Sequence, residues 1–223
     1  MKVKPHEKFE GIFLIDSKLA TINLVPRKKV YGEILVTIKN VEYRIWDFWR
    51  SKPAAAIKKR LKEFVLKKGM KILYLGIASG TTASHFSDII GSDGIIYGVD
   101  IAERVLRELI LHAEERGNII TILADARKPE DYEKIILEKV DLIYEDVASP
   151  DQIQILIRNC KKFLKFNGWA MIAIKSQSID VVKPPKQVYR ECLEELRKHF
   201  EIVDKVELDP YEKAHLFVVL KLK

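Results

Sequence analysis

Cysteine is almost missing from this chain: Cys160 and Cys192 are the only two in 223 residues. A disulfide-stapled secreted scaffold is thereby excluded. Each cysteine lies in an apolar stretch with helical spacing, so both read as buried free thiols rather than as a bridge or a metal pair. No apolar run approaches the ~20 residues that a membrane span requires, and no signal-peptide pattern opens the chain. The expectation is a soluble, cytoplasmic protein with no membrane partner. Internal repeats and low-complexity tracts are also lacking, which excludes solenoids and disordered tails. Glycine is sparse at ten residues, so a place where glycines and other small residues gather is informative.

What is present is a 48% hydrophobic composition, enough for one main domain with a sizeable core and a small extra unit. The net charge of +7 is unevenly placed. Residues 1–60 hold fourteen Lys and Arg against six Asp and Glu, whereas residues 61–223 hold 25 against 26. A polyanionic partner is one reading of the basic first part. A lysine-rich solvated surface, as in heat-adapted proteins, is the other.

Residues 1–50 show no helical period. Runs at Phe9–Ile15, Leu19–Val25, Val30–Ile38 and Val41–Trp46 predict short strands, the last with Val41, Tyr43 and Ile45 on one side. This β-rich N-terminal unit, residues 1–52, is too small for a core of its own and is expected to pack on a larger domain, residues 53–223. Pro53 suits a first helical turn, and the spacing of Ile57, Leu61, Phe64 and Val65 predicts a helix from Ala54 to Lys68 ended by Gly69. Strands and helices then alternate. The predicted strands are Ile72–Leu75, Ile95–Val99, Ile119–Leu123, Asp141–Tyr144 and Trp169–Ile174. Helices are predicted near Ser84–Ile90, Glu103–Arg116, Asp151–Lys165 and Gln187–Phe200. A β-pair, Glu201–Leu208 and His215–Leu222, closes the chain. The repeat implies a mostly parallel α/β sheet of the Rossmann-like type, and the terminal pair, one strand antiparallel, points to its methyltransferase variant.

The small residues gather after the first parallel strand, in Gly76-Ile77-Ala78-Ser79-Gly80-Thr81-Thr82. A strand, a tight loop and a helix start form a ligand site, because small residues admit close approach to the backbone and the helix offers free N–H groups. Ala78 stands where the dinucleotide fingerprint G-x-G-x-x-G has its second glycine, so the motif alone is weak. Asp100, ending the next strand, has the offset of an acid that holds ribose hydroxyls; its other reading is a helix cap before Glu103. Listing the strand ends adds Asp125, Asp146 and Lys175 at one sheet edge, with His215 returning to it. Asp125 followed by Ala126 suits an adenine: a carboxylate for the exocyclic amine beside a small neighbour for the ring.

These residues sit in runs that resemble archaeal fibrillarin, the methyltransferase subunit of box C/D guide-RNA particles. The runs are Y-R-I-W-D-F-W-R-S-K-P-A-A-A-I (43–57), L-G-I-A-S-G-T-T-A-S-H (75–85), E-D-V-A-S-P-D-Q (145–152), I-K-S-Q-S-I-D (174–180) and P-Y-E-K-A-H (210–215). The resemblance spans essentially the whole chain. It implies S-adenosylmethionine as cofactor and a ribose 2′-hydroxyl of rRNA or tRNA as acceptor. The implied cofactor pocket takes the loop Gly76, Ala78, Ser79, Gly80, Thr81 and Thr82. It also takes Asp100, Ile101, Asp125, Ala126, Asp146, Val147, Ala148 and Ser149. The implied catalytic group is Lys52, Asp146, Lys175 and His215, with no metal. Departures from the family's usual residues are Asp100-Ile101 for Glu-Phe, Ser149 for Gln, Pro53 for Leu, Trp49 for Phe and Ala214 for Asp.

Lys175 is read as the base. An amine takes a proton only when neutral, a state that the cation of Lys52 favours and the carboxylate of Asp146 opposes. No module for reading RNA bases is visible. The resemblance supplies target choice from outside: a guide RNA, a Nop-family scaffold protein and a kink-turn-binding ribosomal-type protein. A nicotinamide-linked oxidoreductase, a scaffold with a vestigial pocket and a stand-alone RNA methyltransferase are the alternative readings.

Overall fold

The computed structural model describes residues 2–223. Its first sheet is antiparallel and holds β1 (Val3–Pro5), β2 (Ile12–Ile15), β3 (Lys18–Ile22), β4 (Leu35–Ile38) and β5 (Val41–Ile45), in the order β1-β2-β3-β5-β4. All four strands predicted here are shorter than the apolar runs suggested. The segment before β4 curls because the Glu33 carboxylate accepts the N–H groups of Val30 (3.1 Å) and Tyr31 (2.9 Å). That competes with ladder pairing.

Helix α1 covers only Lys52–Lys58, which corrects the expected helix to Lys68. Arg60 adopts φ +66°. The Leu61 N–H then donates to the Ala56 carbonyl and the Arg60 N–H to the Ile57 carbonyl, both at 3.0 Å. This is a Schellman closure with arginine where glycine is usual. Beyond it Leu61, Phe64, Val65 and Leu66 are buried in irregular chain and join Phe9, Trp46 and Phe86 in one apolar cluster. Gly69 ends no helix; its N–H donates to the Ile90 carbonyl at 2.8 Å.

The second sheet has seven strands: β6 (Lys71–Leu75), β7 (Ile95–Asp100), β8 (Ile119–Leu123), β9 (Val140–Glu145), β10 (Leu164–Lys175), β11 (Phe200–Glu207) and β12 (His215–Leu222). Their order is β11-β12-β10-β9-β6-β7-β8. The strands β10, β9, β6, β7 and β8 pair in parallel, while β12 runs antiparallel to both β10 and β11. This is the Rossmann-like methyltransferase arrangement expected from the terminal β-pair. Helices α2 (Thr81–Ile90), α3 (Glu103–Arg116), α4 (Gln152–Phe163), α5 (Ser176–Ile179) and α6 (Pro185–Arg197) complete it. On one face of the sheet Tyr74, Tyr144 and Phe217 meet Phe86 and the N-terminal residues. On the other Leu73, Ile143 and Ile172 meet Leu156 and Leu196. Burial of such side chains contributes about 1.5–3 kcal/mol each. Among the described residues no helix is long and apolar enough to cross a membrane.

The two sheets are joined by buried charge. Asp88 of α2 accepts four hydrogen bonds: from the Leu24 N–H (3.1 Å), Thr21 Oγ1 (2.7 Å), Arg44 Nη1 (2.8 Å) and Arg116 Nη1 (2.7 Å). Arg44 also donates to Glu33 (2.6 Å) and to Ser84 Oγ (2.8 Å). Beside it His85 lies between the hydroxyls of Thr21 (2.8 Å) and Tyr31 (2.7 Å) and stacks on Trp46 at 5.0 Å. Burial, reinforced by Arg44 and Arg116, holds its imidazole well below the ordinary histidine range, so the ring is neutral. The network fixes α2, and α2 starts at the small-residue loop.

Candidate active site

The loop after β6 is shaped by what stands beneath it. Gly76 has φ +78°, and a Cβ there would lie 2.9 Å from the Asp146 carbonyl oxygen. Glycine lets the loop rest on the Asp146 peptide. Ala78, the position that lacks the fingerprint glycine, still takes φ +51°, a conformation that costs a non-glycine residue about 1–2 kcal/mol. Its N–H donates to Asp100 Oδ2 at 2.8 Å, which offsets that cost, and the Ala102 N–H donates to Asp100 Oδ1 at 2.9 Å. Asp100 is thus both a cap before α3 and an oriented carboxylate with lone pairs left over. Gly80 serves packing: a Cβ there would lie 2.4 Å from Leu109 Cδ1.

A cavity of about 510 Å3 opens at the carboxyl ends of the parallel strands. Of the expected cofactor residues, Gly76, Ala78, Asp100, Ile101, Asp125, Ala126, Asp146, Val147, Ala148 and Ser149 line it; Ser79, Gly80, Thr81 and Thr82 do not. Thr82 is buried and its hydroxyl pairs with Ser51 Oγ at 2.9 Å, so it ties the start of α2 to the residue that precedes α1. Asp125 is gripped by Arg127, whose Nε donates at 3.0 and 2.9 Å to its two oxygens. The guanidinium holds that carboxyl below its usual range.

Three of the four expected catalytic residues meet at the cavity edge. Lys52, the first residue of α1, donates from Nζ to Asp146 Oδ2 at 3.1 Å. Lys175, the last residue of β10, lies 2.9 Å from Asp146 Oδ1 and donates its hydrogen bond to the Asp146 carbonyl oxygen at 2.7 Å. All three side chains are mostly buried, and Asp146 Oδ1 is left with no well-aligned donor. His215 starts β12 in register with Lys175, on the same rim. Its Nδ1 is 2.7 Å from the Lys213 carbonyl and 3.9 Å from Glu212, and it makes no ion pair with Asp146.

Two residues beneath the rim had been given no role from sequence. Gln152 is fully buried at the start of α4. Its Nε2 donates to the Val147 and Ala173 carbonyls, both at 3.3 Å, and its Oε1 accepts the Lys175 N–H at 2.8 Å. It therefore clamps the Asp146 loop to the strand that carries Lys175. The signal available was the run E-D-V-A-S-P-D-Q, which ends on it. Glu145 is also fully buried, and neither carboxyl oxygen has a partner. Burial pushes its carboxyl well above the usual range and the charge of Asp146 adds to the rise, so it is neutral.

A model of the Fibrillarin family matches residues 3–223. The chain belongs to the fibrillarin family. A fibrillarin-like rRNA/tRNA 2′-O-methyltransferase of Thermococcus sibiricus is 54% identical over 226 residues, covering 99% of each chain. The crystal structure of Aeropyrum pernix fibrillarin in complex with natively bound S-adenosyl-L-methionine has a TM-score of 0.92 at 45% identity, covering 99% of this chain and 98% of that one. A fibrillarin chain solved in complex with Nop5p has a TM-score of 0.87 at 40% identity, covering 96% and 98%. Within this fibrillarin-family fold, the Lys52–Asp146–Lys175 cluster is where an anionic centre sits between two cations.

Proposed function

We propose that the chain is an S-adenosylmethionine-dependent RNA methyltransferase that modifies ribose 2′-hydroxyls of rRNA and tRNA. It acts as the catalytic subunit of a cytoplasmic box C/D particle with a Nop-family scaffold, a kink-turn-binding protein and a guide RNA. The observation that carries the reading is one carboxylate, Asp146, shared by two lysines at the edge of the cavity.

The residues present fit the cofactor. The Asp146 carboxylate puts a negative charge at the cavity wall for a positive centre, Asp100 has lone pairs for ribose hydroxyls, and Ala124 and Ala126 leave room for a flat ring. S-adenosylmethionine supplies a methyl already activated on a sulfonium. The protein then has to hold the ribose hydroxyl in line and remove its proton. Lys175, held beside Asp146 at the cavity edge, is the residue placed to take the hydroxyl proton. Lys52 stays bound to Asp146 Oδ2 and keeps the carboxylate in place. His215 adds a polar neighbour on the rim. Alignment and general-base help together supply roughly 10²–10⁴-fold or more.

The test is methyl transfer from labelled S-adenosylmethionine into target RNA by the assembled particle. Lys175→Ala is expected to bind S-adenosylhomocysteine normally by calorimetry and to lose about 10²-fold or more in kcat. Lys175→Arg should fail as well, since a guanidinium does not give up its proton. Near-normal turnover of either variant across pH would remove the base. Binding of a nicotinamide nucleotide instead of S-adenosylhomocysteine would favour the oxidoreductase.

A further inference from the structure

Helix α4 carries two amide side chains that are fully buried: Gln152 at its start and Asn159 two turns later, about 10 Å along the axis. Ile155, between them in sequence, lines the cavity. Asparagine is a poor residue for a helix interior, and a buried amide is costly unless its hydrogen bonds are made. Those of Asn159 are made. Its Nδ2 donates to the Ile155 carbonyl, one turn back, at 3.0 Å and to the Ala126 carbonyl at 2.9 Å. Its Oδ1 accepts the hydroxyl of Tyr132. The bond to Ile155 stays within the helix. The bond to Ala126 reaches the loop after β8, which lines the cavity through Asp125, Ala126 and Arg127.

Tyr132 reaches the same carbonyl. It is fully buried too, and its hydroxyl lies 3.4 Å from the Ala126 oxygen. Its ring stacks on Phe163, the last residue of α4, with centroids 5.6 Å apart. One peptide of a cavity loop is thus held by two buried side chains. A trans peptide is planar, with its C=O and N–H pointing in opposite directions. Fixing the Ala126 carbonyl on Asn159 therefore aims the Arg127 N–H away from α4. That N–H donates to Asp125 Oδ1 at 2.9 Å. The amide of Asn159 is coupled through one rigid peptide to the carboxylate that suits the adenine amine.

We infer that Asn159, with Tyr132, is a positioning residue for the adenine end of the cofactor: it sets the plane of the 126–127 peptide and so the direction of the Asp125 carboxylate. This rests on the methyltransferase reading and adds to it the device that selects the base. The Arg127 side chain does not fix that carboxylate by itself, because it is 55% exposed and exposed ion pairs hold geometry weakly. The bonds of Asn159 are shielded from water, which strengthens them. Helix α4 then serves both ends of the cavity. Gln152 holds the strand that carries Lys175, and Asn159 holds the loop that carries Asp125. One rigid element fixes the separation between the methyl-transfer centre and the base.

The experiment is calorimetry on the full chain with S-adenosylhomocysteine and with its purine analogue that lacks the 6-amino group. The wild type should bind the analogue about tenfold more weakly, the worth of one hydrogen bond to a charged acceptor. Asn159→Leu should lower S-adenosylhomocysteine affinity about tenfold and leave that of the analogue within about twofold, so that the discrimination vanishes. Tyr132→Phe deletes one hydroxyl and keeps the ring on Phe163. It should lose about threefold in the same direction, and it decides the matter if Asn159→Leu does not fold. On an Asp125→Ala background the Asn159→Leu loss should disappear, since both substitutions act on one contact. In the assembled particle the KM for S-adenosylmethionine should rise while kcat stays within about threefold. Equal losses for both ligands would make Asn159 purely structural and overturn the inference. Undiminished discrimination in the folded variants would overturn it too, as would a wild type that binds the two ligands alike. If the wild type binds neither, the methyltransferase reading falls first, and the positioning role falls with it.

Discussion

Two clusters of buried charge stand at opposite ends of the same logic. Around Asp88, Arg44, Arg116 and Glu33 balance in sign, and each Asp88 oxygen receives two donors. Around Asp146, Lys52 and Lys175 supply cations, yet Oδ1 has no aligned donor and neighbouring Glu145 has none at all. A saturated cluster can only hold elements together; it has nothing left to offer a ligand. An unsaturated one costs stability where it stands, because orphaned buried polar atoms are expensive. The first cluster reads as architecture and the second as chemistry, although both are built from the same residue types.

The contrast can be broken most forcefully at Arg44. Arg44→Leu leaves Asp88 and Glu33 buried without their shared partner, and the expected loss is about 3–5 kcal/mol, a Tm drop of roughly 10 °C or more by calorimetry. Lys175→Ala removes a cation from the other cluster and should leave Tm close to wild type. Equal losses would erase the distinction. A smaller effect is expected at Gln152. Gln152→Leu removes the clamp between the Val147 carbonyl and the Lys175 N–H, and kcat should fall tenfold to about a hundredfold through misalignment, with S-adenosylhomocysteine affinity unchanged. A fall in that affinity instead would make Gln152 part of the pocket wall rather than a positioning residue.

The smallest effect concerns Glu145. Its folded-state carboxyl titrates above its ordinary value of 4.5, so the folded chain holds a proton that the unfolded chain releases. Its contribution to stability is full below that value and is lost as pH rises toward the folded-state pKa. Glu145→Gln has no proton to lose. The Tm difference between the variant and the wild type should widen in favour of the variant as pH rises from about 4.5. Parallel Tm curves across that range would mean that Glu145 is ionised and partnered.

Much of this was readable from residues alone. The parallel strands were visible because a strand buried on both faces is a continuous apolar run, and four of the five runs lead to a polar residue, Asp100, Asp125, Asp146 or Lys175, that the fold brings to one rim. The resemblance in five runs added the roles. The stretch after α1 misled because Leu61, Phe64 and Val65 fit a helical period, while the deciding feature, the left-handed turn at Arg60, has no signature in an arginine. β1 went unseen because it is three residues long and contains Pro5. The resemblance assigns Thr82 to the cofactor pocket, while its hydroxyl bonds to Ser51, a partner 31 residues away in the chain that no local pattern announces. Glu145 and Gln152 carry their meaning in what surrounds them, and a sequence does not state that.

The four-way grip on Asp88 bears on how such a chain can be reassembled from pieces. Cut between the sheets, each part keeps one arginine and one acid of the network, so formal charge cancels on both sides. Donors do not divide so evenly: Asp88 would keep only Arg116, having lost Thr21, Leu24 and Arg44. A recombinant that swaps the first sheet for a foreign one therefore has to import matching hydroxyl, amide and guanidinium groups together, or it inherits a helix α2 with an unmet acid at its heart.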